Sequence, residues 1–261
     1  MKVWFVGAGP GDPELLTVKA ARLLAAARIC VYAGSLVNPR ILDLLPAEAE
    51  RHDSAGMTLD ETLAVMMRAC DVGVDVVRLH TGEPSLYGAI GEQMDALDRL
   101  GISYEIVPGI SAFQAAAATL AIELTVPETS QTVVLTRSPG RTPMQETESL
   151  RTYAATSAAL CLYLSADRLA DAARTVAEAR GPDTPAAVVF HASWPDERIV
   201  RGTAADIAEK AAGEHMHRTA LVVFGAALQR PYGTASKLYA ADFTHGYRKG
   251  RTREEKQDGN A

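Results

Sequence analysis

Cysteine is scarce in this 261-residue chain, which holds three: Cys30, Cys70 and Cys161. They are far apart, odd in number and set in apolar stretches, and no pair has metal-ligand spacing. Buried, reduced thiols in a reducing cytosol are the expectation, with no metal. Long apolar runs are missing too. The most apolar windows, residues 20–33 and 110–126, are broken by Arg22, Arg28, Gln114 and Glu123, short of the roughly 20 apolar residues of a membrane span. The apolar run at residues 3–6 is too short for a signal peptide. A soluble, cytoplasmic protein without a membrane partner is expected. Positive charge is also in deficit: 26 Lys and Arg stand against 32 Asp and Glu, a net charge of -6. That argues against a nucleic-acid partner, and any anionic ligand must be held by a local group of cations rather than by the overall field.

What is present is an ordinary globular composition, 48% hydrophobic and 22% charged, which excludes disorder, collagen and coiled coil for the bulk of the chain. Short β-type runs alternate with helical ones. Residues 3–6 form a strand ending at Gly7, and Thr17 caps a helix through Ala27. A second strand follows at Ile29–Tyr32, and Asn38-Pro39 opens a short helix with proline at its first position. Thr58 and Glu61 form a capping box for a helix whose Leu59, Leu63, Met66 and Cys70 share one face. Residues 74–79 and Tyr104–Val107 are further strands, separated by a helix through Ile90, Met94 and Leu97 that stops by Gly101. This rhythm predicts parallel βαβ units.

After residue 110 the pattern restarts, with strands at 132–135, 159–164, 186–190, 198–201 and 220–224. The 186–190 and 198–201 runs flank residues 191–197 with no helix between them, so a hairpin and a mixed sheet are expected. The predicted fold is α/β in two lobes: residues 1–110 with a mostly parallel sheet, and 111–245 with a mixed one. A loop at 138–143 carries two prolines and a glycine, and the charged segment 246–261 reads as a disordered tail.

Three glycine-bearing loops follow three strands of the first lobe. They are Gly7-Ala8-Gly9-Pro10-Gly11-Asp12-Pro13, Thr81-Gly82-Glu83-Pro84-Ser85-Leu86-Tyr87-Gly88 and Pro108-Gly109-Ile110-Ser111-Ala112. The first lacks the G-x-G-x-x-G spacing that opens straight into a helix, because Pro10 and Pro13 intervene; a nicotinamide oxidoreductase is a poor reading. No Gly-Lys-Ser/Thr follows, so it is not a P-loop. What remains is three ligand-type loops at the carboxyl ends of parallel strands, where α/β sheets bind ligands. Glycine there lets a ligand approach the backbone.

In order and spacing, from Lys2 to about Leu228, these motifs resemble those of the tetrapyrrole methylases. The resemblance implies two α/β lobes with S-adenosylmethionine held in the cleft between them. It also implies a homodimer and a tetrapyrrole substrate, with methylation as the activity. Residue by residue it assigns cofactor binding to Pro10, Thr81, Gly82, Glu83, Leu86, Ser111 and Ala112, and to Leu164, Ala192 and Ala220. Glu83 stands where the family more often has Asp, Leu164 where many members carry Met, and Ala192 where many carry Gly. Three further stretches resemble a branch that methylates a ring carbon of a corrin precursor: residues 31–37, 53–59 and 192–197. Thr136-Arg137 and residues 140–143 join them. The Asp that uroporphyrinogen methylases carry after Val-Tyr, proposed there as a proton acceptor, is replaced by Ala33-Gly34-Ser35. No catalytic base is carried over.

Methyl transfer from a sulfonium needs no metal and little covalent help; it needs a carbon nucleophile placed in line with the methyl and water kept out. Arg137 and Arg141 are the candidate clamps for substrate carboxylates, since guanidinium binds them bidentately. His52, His80 and His191 are scattered and lack the company of a metal site. The competing readings are methylation at another tetrapyrrole position, a non-tetrapyrrole acceptor, and a catalytically inactive ligand-binding relative.

Overall fold

The computed structural model describes residues 1–34, 36–138, 144–214, 216, 219–233 and 236–250. Ser35, the 139–143 part of the proline loop with Arg141, and residues 251–261 of the charged segment lie outside the described residues. The chain divides into two compact units, residues 1–120 with 189–199 and 216–221, and residues 121–188 with 200–215 and 222–261.

In the first unit the order is β1 (Val3–Gly7), α1 (Val18–Ala25), β2 (Ile29–Tyr32), α2 (Pro39–Leu42), β3 (Glu50–Asp53), α3 (Leu59–Asp71), β4 (Val76–His80), α4 (Ile90–Arg99), β5 (Tyr104–Val107) and α5 (Ala112–Leu120). The five strands form one sheet in the order β3-β2-β4-β1-β5, and every neighbouring pair is parallel. Local chemistry sets the helix starts. The Thr17 hydroxyl accepts from Ala20 N–H, Asn38 from Arg40 N–H, and Thr58 and Glu61 complete the expected capping box. α1 ends two residues earlier than expected, where Ala27 N–H closes a tight turn onto Leu24 C=O. β4 begins two residues later than expected, because Val74 N–H turns back to Ala69 C=O and completes the end of α3.

Alternation along the strands builds a core on each face of the sheet. Val6, Cys30, Val77, Leu79 and Val107 pack with Ala20, Leu24, Ile41 and Leu45, so α1 and α2 cover one face. Val3, Phe5, Val31 and Val76 pack with Leu63, Met66, Ile90 and Leu97, so α3 and α4 cover the other. The loops leaving β1 and β2 therefore turn to one face and those leaving β3 and β4 to the opposite face. β4 lies between β1 and β2, so a crevice opens on each of its sides at the carboxyl edge. These are topological switch points, where open α/β sheets take ligands.

The second five-stranded sheet has the order β6-β7-β10-β8-β9. Its elements are β6 (Val133–Arg137), α6 (Leu150–Ala154), β7 (Ala159–Tyr163), α7 (Leu169–Arg180), β8 (Pro185–Phe190), β9 (Arg198–Thr203), α8 (Ile207–Gly213) and β10 (Ala220–Phe224). β6 runs parallel to β7 and β10 antiparallel to it, so the sheet is mixed. β8 and β9 are neighbours joined by residues 191–197 alone, too few for a parallel crossover; they form the expected hairpin. In the segment after residue 245, Arg248 donates to Leu238 and Ala240 C=O. No helix among the described residues is long and apolar enough to cross a membrane.

Candidate functional site

The three glycine loops meet at the β1–β4 crevice. Gly9 and Gly82 exchange backbone hydrogen bonds, Gly9 N–H to Gly82 C=O at 3.2 Å and Gly82 N–H to Gly9 C=O at 2.8 Å. Gly7 lies so close to the other two loops that a Cβ on it would sit 2.6 Å from Gly109 N and 2.7 Å from Gly82 O. A Cβ on Gly109 would likewise collide with Gly82 O. The backbones pack to a distance no side chain allows.

Glu83 adds a polar tie to this packing. Its carboxylate accepts from Gly109 N–H at 2.8 Å and from Ser85 N–H at 3.0 Å. Burial works against ionisation, but the hydrogen bonds from Gly109 and Ser85 together outweigh it and hold the carboxyl below its ordinary range. The side chain thus spends both oxygens on the protein's own loops.

Gly82 has φ +59, and a Cβ there would point past Ser111 Cα, Ile110 O and Ala112 N at 3.8–4.0 Å. Ser111 is buried and accepts Gln114 and Ala115 N–H at the start of α5, whose first residue is Ala112. Gly82, Ser111 and Ala112 thus lie side by side, with Thr81 and Leu86 half-buried on the same loop as Gly82.

Pro10 is buried in the first loop and held from far along the chain. Trp194 Nε1 donates to Pro10 C=O at 2.8 Å, and its indole covers Gly11, where any Cβ would collide with the ring. Asp12 N–H donates to Ser193 Oγ at 3.0 Å, and Asn38 Nδ2 to Gly11 C=O at 2.9 Å. His191 is stacked between Phe190 and Trp194 and bonded through Nδ1 to Asp196. The backbone N–H of His191 donates to Thr219 C=O, beside Ala220. The buried Ala192 lies between these contacts.

Nine of the ten candidate cofactor positions thus belong to the first unit, and Leu164 to the second. Leu164 follows β7 with φ +50 and its side chain 66% exposed. Arg137 ends β6, half-buried, also in the second unit.

Backbone strain marks the same positions. Eight non-glycine residues have positive φ among the described residues. Six of them are at or near candidate positions: Tyr87 and Ala89 follow Leu86, His191 and Ser193 flank Ala192, Thr219 precedes Ala220, and Leu164 is itself one. Such conformations cost of order 1–3 kcal/mol each and gather at ligand sites. Glycine loops packed backbone to backbone at a switch point of the sheet suit a nucleoside-bearing cofactor bound by main chain and shape. The part played by Trp194 is not readable locally; the available hint is a tryptophan in a short, otherwise polar connection between strands. No group of three or more His, Cys, Asp or Glu among the described residues could hold a metal ion.

Comparison with known proteins shows the family. The family model described as Tetrapyrrole (Corrin/Porphyrin) Methylases matches residues 2–208. The chain is 49% identical over 249 residues to the cobalt-precorrin-4 C(11)-methyltransferase of Methanocaldococcus jannaschii, covering 95% of this chain and 96% of that protein. It is 46% identical over 250 residues to the precorrin-4 C(11)-methyltransferase of Pseudomonas aeruginosa, covering 96% and 100%. Among solved structures, an X-ray structure of cobalt precorrin-4 methyltransferase, a cobalamin biosynthetic enzyme, matches with a TM-score of 0.85 and 42% identity, over 87% of this chain and 96% of that one. The uroporphyrin-III C-methyltransferase of Thermus thermophilus, complexed with S-adenosylhomocysteine, matches with a TM-score of 0.75 and 30% identity, over 87% and 99%. With its all-parallel sheet, its three tied glycine loops and these relatives, the chain belongs to the tetrapyrrole methylases.

Proposed function

We propose that this chain transfers the methyl group of S-adenosylmethionine to carbon 11 of precorrin-4, or of its cobalt-bearing counterpart, to give the corresponding precorrin-5 in corrin-ring assembly. The observation that carries the reading is the tying of the loops at Gly7, Gly82 and Gly109 backbone to backbone at a switch point of the sheet. The relatives named for this reaction, matched over nearly their whole length, support the choice of acceptor.

When bound, the donor supplies a methyl group already activated by the sulfonium charge. Pro10, Thr81, Gly82, Glu83, Leu86, Ser111, Ala112, Leu164, Ala192 and Ala220 are proposed to hold it. Glu83 and Trp194 keep the walls in place rather than react, since their polar atoms are taken up by Gly109, Ser85 and Pro10. With the loops fixed in advance, little ordering entropy is lost when donor and acceptor are brought into line. Arg137 and Arg141 are proposed as carboxylate clamps. With this reading go a homodimer, a cytoplasmic location and the two-lobe division near residue 110.

The test offers the purified protein uroporphyrinogen III and precorrin-4 in parallel, with a carbon-13 methyl donor, and locates the new methyl by NMR. Label at carbon 11 of precorrin-4 is expected. Label on uroporphyrinogen III, or none on precorrin-4, would sink the assignment of the acceptor.

A further inference from the structure

Glu197 closes the connection between β8 and β9, and its half-buried side chain joins stretches that lie far apart in sequence. Oε2 accepts from Ser193 N–H at 2.6 Å and from the Thr119 hydroxyl at 2.9 Å. Thr119 is the penultimate residue of α5, so the second bond spans 78 positions. No cation forms an ion pair with Glu197 among the described residues; both donors are neutral. A carboxylate drawn out of water onto neutral donors is a costly way to join a helix to a loop. Methionine at 197 with valine at 119 would cover much of the same surface with no charge to desolvate. What the carboxylate adds is direction: two charge-assisted bonds that meet at one oxygen.

Both bonds lead to proposed donor positions. Ser193 has φ +69, and the bond from its N–H to Glu197 helps to hold that strained backbone in place. Ser193 adjoins the buried Ala192. Its hydroxyl accepts from Asp12 N–H at 3.0 Å, and Trp194 beside it donates to Pro10 C=O, so the first glycine loop is fastened to the same residues. Trp194 N–H donates to His191 C=O at 2.8 Å and Glu197 N–H to Trp194 C=O at 3.1 Å. Residues 191–197 thus fold into two successive turns that return the carboxylate to Ser193. At the other end, α5 starts at Ala112, directly after Ser111. Thr119 stands about 10 Å further along the axis, at roughly 1.5 Å per residue. A helix this short is stiff, so fixing Thr119 fixes the tilt that sets Ser111 and Ala112 beside Gly82. All of these residues belong to the first unit.

We propose that Glu197 is a positioning residue for the methyl donor. It sets the placement of α5, with Ser111 and Ala112, against residues 192–194 and the first glycine loop. It acts through Ser193 and Thr119 rather than on the donor itself. This rests on the donor positions proposed above and adds the side chain that ties two groups of them together.

The test measures calorimetric binding of S-adenosylhomocysteine, and the donor and acceptor KM for turnover of precorrin-4. The unmodified protein is compared with Glu197→Met, Glu197→Gln, Thr119→Val and the Glu197→Met/Thr119→Val double variant. Glu197→Met should weaken S-adenosylhomocysteine roughly tenfold or more, the size of one lost charge-assisted hydrogen bond, and raise the donor KM in step. The acceptor KM should stay within about threefold. Glu197→Gln keeps an oxygen for both donors and should bind within about threefold of the unmodified protein. Thr119→Val should weaken binding on its own and add little in the Glu197→Met background. If Glu197→Met does not fold, Thr119→Val carries the test through the same split between donor and acceptor. Unmoved affinity, a glutamine variant as weak as the methionine one, additive effects, or equal rises in both KM values would each overturn the proposal. Absence of S-adenosylhomocysteine binding and of turnover in the unmodified protein would overturn the functional reading and this inference with it. Binding and turnover that Glu197→Met leaves unmoved would overturn this inference alone.

Discussion

The indole of Trp194 donates to the carbonyl of Pro10 at 2.8 Å, across 184 positions of sequence. The same ring occupies the place a side chain at residue 11 would need. The first glycine loop is therefore shaped as much by the segment after β8 as by its own glycines.

Trp194→Ala should cost roughly 2–4 kcal/mol of stability, the lower part of the range for a large aromatic because the ring is half-buried. It should also weaken S-adenosylhomocysteine binding. Trp194→Phe keeps the ring and loses the donor, about 1 kcal/mol. Urea unfolding and titration calorimetry on the two variants check both. Equal effects would show that the hydrogen bond, not the packing, holds the loop.

Glu83 links stability to pH. Its folded pKa lies below the ordinary value, so its contribution is present above the unfolded pKa and is lost as pH falls through the folded one. Glu83→Gln should lower stability by about 1 kcal/mol at pH 7, allowing for partial solvent screening. The gap between the two proteins should close as pH falls below the ordinary carboxylate range. Urea midpoints across that range would show it, and a gap independent of pH would refute it.

Gly82→Leu places a branched side chain at φ +59, a conformation that costs roughly 1–2 kcal/mol for a residue with a Cβ. The chain should still fold with an unchanged far-UV circular dichroism spectrum. S-adenosylhomocysteine binding should be lost, because the new side chain enters the space beside Ser111 and Ala112. Retained binding would remove Gly82 from the donor site.

The thiols should divide into two classes. Burial pushes Cys30 and Cys161 up to about 12, whereas Cys70 is only partly covered. At pH 8 a thiol reagent should modify Cys70 first and reach the other two only on unfolding, since the thiolate is the reactive form. Fast reaction of all three in the native protein would contradict the burial of Cys30 and Cys161.

Where structure depends on neighbours in sequence, the residues announce it. The Thr58–Glu61 capping box, the proline at the start of α2 and the glycine loops after β1, β4 and β5 can all be read directly, because their physics is local. β3 cannot: Glu50, Arg51, His52 and Asp53 are polar throughout and show no buried face. They form a strand because they edge the sheet and pair only with β2. The strain at His191, Ser193 and Thr219 is likewise imposed by packing, since none of these residue types favours a left-handed backbone as glycine does. The sequence reading of residues 74–79 as a strand does not single out Arg78; only the topology brings Gln93, Ser54 and Val31 from three other parts of the chain to its guanidinium.

The dependence of Pro10 on Trp194 also fixes when the first loop can be completed during synthesis. A ribosome adds about 5–20 residues per second, so the loop waits roughly 10–40 s after its own emergence before Ser193 and Trp194 exist to close it. A nascent chain stopped after α5 holds all five strands of the parallel sheet but not the indole that shapes Gly11. Completion of the loop is thereby postponed until translation has passed residue 194.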